Sequence, residues 1–302
     1  MSKSWVLKFI KRIFNCWFGT LERFPQENGI TFRHHQPEIP NIGDHLCSPR
    51  HYFSFKNSKN NLIILGGGVF SNYGVDEVKL NCFEPENVVL WGVGVSLRNK
   101  QEARADLLPY RVWGVRDIDR TDDAHFLPCV SCLSPMLNRS AAVSGTLLFL
   151  NADPNVAPNS FKEKYKSLAE KKGWRVLFNN CTESEIAFAL QNCNHIITNS
   201  YHASYWGLLT GHKVTVLGYS SKFISLLNAF GFNKDHLFSI KRGDGDSLYE
   251  SLSFIEDDRN SVFVKDYQNF LMDFRRRNVE FAEKLVNNHL VEGFELKINS
   301  SI

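Results

Sequence analysis

A series of short, unbroken apolar runs, each stopped by glycine, constrains this chain more than any other feature. Residues 61–65 (NLIIL) run into Gly66-Gly67-Gly68, and residues 87–91 (NVVLW) into Gly92-Val93-Gly94. Residues 111–116 (RVWGVR) form a third run. Runs this apolar, too short for helices and ended by glycine, are what strands buried on both faces of a parallel sheet require. The pattern restarts after residue 140. Strands are expected at 145–151, 174–178, 195–198 and 213–217, with helices at 160–173, 182–192 and 202–210 between them. Two S/T-x-x-E boxes, Ser160 to Glu163 and Thr182 to Glu185, mark helix starts, while Gly173 and Gly211 mark helix ends. Strand and helix therefore alternate in two halves, which predicts an α/β fold of two Rossmann-like, doubly wound domains facing a cleft.

At 302 residues the chain is long enough for two such domains. The expected divisions are an aromatic and basic N-terminal helix over 1–30, a first domain over 31–140, a second over 141–263, and a helical tail over 264–302. Hydrophobic residues make up 43% and charged residues 22%, which excludes a disordered chain. A net charge of +3 permits an anionic substrate but falls short of a dedicated nucleic-acid binder, so no nucleic-acid partner is expected. The seven cysteines are odd in number and dispersed, as suits a reducing, cytoplasmic compartment. Cys129 and Cys132 form a CxxC without a second pair at zinc-ribbon spacing, and read as buried structural thiols. No acidic cluster stands out, so neither a metal nor a cofactor is expected. No run reaches the ~18 apolar residues of a membrane span. The segment 4–18 mixes Trp5, Phe9, Phe14, Trp17 and Phe18 with Lys8, Lys11 and Arg12. It reads either as an interfacial helix on the inner face of an anionic membrane or as a terminal helix packed on the domain. In the tail, Arg275-Arg276-Arg277 reads as a solvated basic face.

In open parallel sheets, ligands bind beyond the carboxyl ends of the strands. That rule selects six segments. Asn41, Gly43 and Asp44 precede the first strand, and Asp44 is placed to accept from a sugar hydroxyl or to cap a helix. Gly67 and Gly68 let main-chain N–H groups approach an anion. Gly92 and Gly94 allow close approach after Trp91, whose ring either stacks on a sugar or packs in the core. Arg116, at a strand end, offers a guanidinium fork that matches carboxylate or phosphate; an ion pair with Asp117 is the structural alternative. Asn199, Ser200, Tyr201 and His202 lie where a strand passes into a helix. The free N–H groups there suit an anion, and His202 suits proton transfer. Lys222 follows the strand at 213–217 and adds a cation.

In this order, the Asn-x-Gly-Asp of 41–44, the glycine triplet of 66–68, the Trp-Gly-x-Gly of 91–94 and the Val-Arg-Asp of 115–117 resemble the polysaccharide pyruvyltransferase family. Ser-Tyr-His at 200–202, Gly211 and Tyr-x-x-Lys at 219–222 continue the resemblance, which covers residues 40 to about 235. It implies a GT-B-type fold with a C-terminal helix crossing back. It also implies transfer of a pyruvyl ketal from phosphoenolpyruvate to a sugar or lipid-linked glycan of the cell envelope, as in exopolysaccharide or capsule biosynthesis. His202 would then be the general acid/base, with Arg116 and Lys222 holding the anionic groups. The chain departs from the family where many members carry Arg-Leu-His in place of Ser200-Tyr201-His202. Many also carry Asp-Pro where this chain has the region of Pro128 to Cys132. Two other readings stand beside it: a GT-B glycosyltransferase using a nucleotide sugar, and a scaffold in a membrane-bound glycan assembly complex.

Overall fold

The computed structural model describes residues 26–35, 37–58, 61–68, 78–79, 81, 83–97, 107, 109–138, 141–142 and 144–297. The aromatic and basic segment 4–18 lies outside the described residues. The architecture is α/β, as the alternation predicts. The first sheet contains β1 (Gln26–Glu27), β2 (Ile30–Arg33), β4 (Leu62–Gly66), β5 (Val88–Val93) and β6 (Val112–Val115), in the order β1-β2-β4-β5-β6. Only β1 is antiparallel; β2, β4, β5 and β6 pair in parallel. The second sheet is parallel throughout. It holds β7 (Thr146–Leu150), β8 (Arg175–Phe178), β9 (His195–Thr198), β10 (Lys213–Gly218) and β11 (Leu237–Ser239), in the order β11-β10-β9-β7-β8. Read from its other edge this is the doubly wound order 2-1-3-4-5, whose strand order reverses between β7 and β9.

The apolar runs explain the strands. Every residue of β4, β5 and β9 is buried, because helices or loops cover both faces. Helices α2 (Lys162–Lys171), α3 (Glu183–Gln191), α4 (Tyr201–Leu209), α5 (Ser221–Ala229) and α6 (Gly245–Phe254) alternate with the strands of the second half. The capping box at Thr182 forms as expected, with reciprocal bonds between Thr182 and Glu185. The one expected at Ser160 does not. Pro158 leads into a 3-10 turn over Asn159–Phe161, which places Phe161 rather than Ser160 at the cap of α2, and Glu163 pairs with Lys166 instead. Helix α4 is buried on every side, between the second sheet and the rest of the molecule.

The tail does cross back. Helix α7 (Tyr267–Asn287) packs on α4 and on the 3-10 turn over Val130–Leu133. Strand β12 (Val291–Leu296) then pairs antiparallel with β3 (Phe53–Ser58), a strand of the first half. One consequence corrects the reading of Arg275–Arg277 as a solvated face. Arg275 is buried because α7 lies across residues 123–138; its guanidinium donates to the Cys132 carbonyl at 3.0 Å and to Asn138 at 2.6 Å. Arg277 pairs with Asp123, and Arg276 alone of the three stays largely exposed. Trp91 is also corrected as a sugar platform. Its ring is fully buried, edge-on to Phe281 at 4.8 Å, and its Nε1–H donates to Asn278 of α7 at 2.8 Å. A Trp this deep holds the returning helix and reaches no ligand.

Candidate functional site

The carboxyl ends of both sheets open onto one cleft of about 640 Å³. Loops after β2, β4, β5 and β6 line it from the first half, as do loops after β7, β9 and β10 from the second. The β7 and β9 loops flank the point where strand order reverses, which is where doubly wound sheets take ligands. Of the residues expected from sequence, Asn41, Asp44, Gly68, Arg116, Ser200, Tyr201, His202 and Lys222 line this cleft together. Gly43, Gly67, Trp91, Gly92, Gly94 and Asn199 do not.

Asn41 and Asp44 belong to a helical turn, α1 (Ile42–His45). Asn41 is its N-cap and accepts from the Gly43 N–H at 3.0 Å, while Asp44 takes the Asn41 amide at 2.8 Å. The second half reaches this turn directly, since the Ile42 N–H donates to the Asn179 carbonyl at 2.8 Å. On the other side of the cleft, Ser96 and Leu97 bond to Ser220 and Ser221 at 3.0 Å each. The two halves therefore touch on both flanks of the cleft.

Arg116 is the charged centre. Its side chain is 4% exposed, it lines the cleft, and its Nε and Nη1 have no hydrogen-bond partner. No carboxylate lies within ion-pair distance of it among the described residues; the structural alternative, a pair with Asp117, does not form. The guanidinium instead lies over the Tyr201 ring, 4.1 Å from the centroid. Asp117 takes the Val95 N–H and leaves its other oxygen without a donor. Burial pushes the Asp117 carboxyl up to about 6, against the nearby Arg116 charge and the Val95 N–H. A buried cation without an ion-pair partner costs free energy that an anionic ligand returns. Lys222, in the first turn of α5, adds a second cation and bonds to the Tyr219 hydroxyl at 3.1 Å. Arg242, which the sequence reading did not select, adds a third beside Asp153 at 3.2 Å.

His202 sits in the first turn of α4. Ser200 holds the N-cap position, but neither its hydroxyl nor Asn199 caps the helix. The Asn199 side-chain oxygen instead accepts from the Asn151 N–H at 2.8 Å, fixing the β7 loop to the β9 loop. His202 Nε2 faces the Cys47 sulfur at 3.0 Å and the Cys129 sulfur at 3.7 Å, and the two sulfurs are 3.5 Å apart. Nδ1 lies against Gly43, where a Cβ would come within 2.2 Å of it.

The glycines predicted to approach a ligand thus serve another purpose. Gly43 makes room for His202. A Cβ at Gly94 would lie 2.4 Å from Arg116 Nε, and one at Gly67 would lie 2.6 Å from the Cys47 sulfur. They form the tight wall behind the site, and of the five candidate glycines only Gly68 reaches the cleft.

Comparison with family models, with curated proteins and with solved structures gives no match to this chain.

Proposed function

We propose that the chain is a transferase of GT-B-like arrangement that binds a small donor carrying a carboxylate and a phosphate, with phosphoenolpyruvate as that donor and a glycan sugar as acceptor. One observation carries this reading: Arg116, buried and without an ion-pair partner, faces a cleft that also holds Lys222 and Arg242. A guanidinium fork suits a planar carboxylate or a phosphate, and a desolvated one binds it more tightly than an exposed one. The first-turn N–H groups of α4, which no side chain caps, add a second anion-binding element beside it.

In this reading His202, which lines the cleft, delivers a proton to the terminal enol carbon. The adjacent carbon becomes oxocarbenium-like and a sugar hydroxyl attacks it. Phosphate then leaves with the carbon–oxygen bonding pair, and a second hydroxyl closes the ketal. One hydroxyl proton returns to His202 and the other leaves with phosphate. Arg116 and Lys222 stabilise the charge that builds on the departing group.

Calorimetric titration of the purified chain tests this. Phosphoenolpyruvate is expected to bind saturably. Arg116→Ala is expected to weaken it about tenfold or more, the scale of a lost charge-assisted pair, with Arg116→Lys intermediate and Lys222→Ala weaker than wild type. Saturable binding of a nucleotide sugar without phosphoenolpyruvate binding would overturn the donor assignment and favour a glycosyltransferase.

A further inference from the structure

We infer that Cys47, Cys129 and His202 form a binding site for a thiophilic divalent cation, zinc being the best fit. Their ligand atoms all lie within 4.8 Å of one another, and all three residues are buried. No other His, Cys, Asp or Glu among the described residues completes the group. Two thiolates and an imidazole are a recognised zinc donor set, with Zn–S near ~2.3 Å and Zn–N near ~2.0 Å. Tetrahedral geometry with those bond lengths separates two sulfurs by about 3.8 Å and a sulfur from a nitrogen by about 3.6 Å. The observed separations are 3.5 Å for the sulfurs and 3.0 and 3.7 Å from sulfur to Nε2. The sulfur–sulfur and Cys129–Nε2 separations already fit within about 0.3 Å, and an opening of about 0.6 Å between Cys47 and Nε2 admits the ion.

Neighbouring side chains hold the Cys129 sulfur in place. Trp206 Nε1–H donates to Ser131 Oγ at 3.0 Å, and Ser131 Oγ hydrogen-bonds with the Cys129 sulfur at 3.2 Å. Such indirect partners orient metal ligands and tune their basicity. Cys132, the other half of the CxxC, takes no part. Its sulfur faces the Asn278 amide at 3.4 Å, and burial pushes its thiol up to about 12.

The three donors come from three separate places: the turn after α1, the segment between the two halves, and the first turn of α4. A cation bound there fixes the floor of the cleft by tying both halves at one point. It occupies His202 Nε2 and leaves a fourth position for water or a bound ligand. Cation binding does not depend on which anion enters the cleft.

Chelator-treated full-length protein titrated with Co²⁺ tests the inference. A thiolate-to-cobalt charge-transfer band and tetrahedral ligand-field bands are expected, saturating near one equivalent and displaced by Zn²⁺. Cys132→Ser and Arg116→Ala are expected to keep the bands, the latter separating this site from the anion site. Cys47→Ser and Cys129→Ser are expected to lose most of the charge-transfer intensity and to weaken Zn²⁺ binding at least about tenfold. Should either variant fail to fold, the wild-type spectrum still decides, together with the rise in Tm when Zn²⁺ is returned to chelator-treated protein. Absence of the thiolate band in wild type overturns the proposal. So does an intact mass lower by two hydrogens under non-reducing conditions with Cys47 joined to Cys129, which would make the pair a redox couple.

Discussion

At the scale of the residue, the site is set by what is missing from a few positions. Gly43 has no side chain because the His202 ring occupies that space, and Gly94 has none because Arg116 does. Gly43→Ala forces a Cβ to within 2.2 Å of His202 Nδ1, and this atom cannot yield without moving Nε2 off the cysteines. The expected cost is about 1–3 kcal/mol of overpacking. It should be read as a Tm lowered by several degrees and, in the cobalt experiment, as a weakened thiolate band. An unchanged Tm would mean that the ring has room to move. The sequence showed these glycines but not their reason. A glycine that meets a ligand and a glycine that meets a buried side chain look alike in one dimension. Arg116 and His202 were legible, because strand ends and helix starts follow from local pattern. The company of Cys47 was not, since its partners lie 82 and 155 positions away in the chain.

At the scale of the element, local signals served well where local forces decide. Nearly all strands from residue 62 to 218 fall within a residue or two of expectation, and the Thr182 capping box forms. β1, β2, β3, β11 and β12 escaped notice, because two to six residues at or beside a sheet edge carry little periodic signal. α7 shows how an element's surroundings override its composition. Its three consecutive arginines suggest solvent, yet Arg275 and Asn278 face inward to satisfy carbonyls of the segment over 128–138. Asn278 takes the Trp91 N–H and donates to the carbonyls of Pro128 and Phe274. Trp91→Phe keeps most of the ring but leaves the Asn278 oxygen buried without its donor. A loss of about 1–3 kcal/mol is expected in chemical denaturation. Asn278→Leu in the same background should recover part of that loss, and no recovery would mean that the Trp91 bond is not what holds the helix.

At the scale of the whole molecule, buried histidines set the acid limit of stability. His34 and His195 are each lowered to about 4, chiefly by burial, with His45, His51, His35 and Arg33 adding repulsion at His34 and Lys213 at His195, where Asp258 and Asp257 oppose the shift. A histidine whose folded value lies below its unfolded one is neutral in the fold while the unfolded chain already binds a proton. Its contribution is therefore complete above about pH 6.5 and is lost as pH falls from there to about 4. Asp117, raised to about 6 by burial, acts in the opposite direction between its ordinary range and 6, and offsets part of the fall. Tm is expected to drop from pH 7 to pH 4.5, with a shallower slope in a His195→Gln variant that keeps a partner for Thr215. Equal slopes would remove His195 from the account. Among the described residues, no helix is long and apolar enough to cross a membrane, and the halves meet through direct bonds on both sides of the cleft.

Among the described residues, β3 has only one strand partner, β12. Of the described elements, β12 leaves the ribosome last. During synthesis, Phe53 and Phe55 must therefore wait on an open strand edge until β12 has been made. Pairing so distant in sequence closes a large loop and is slow to form. Pairing of β3 with β12 can therefore come only after the strands of both sheets have been made.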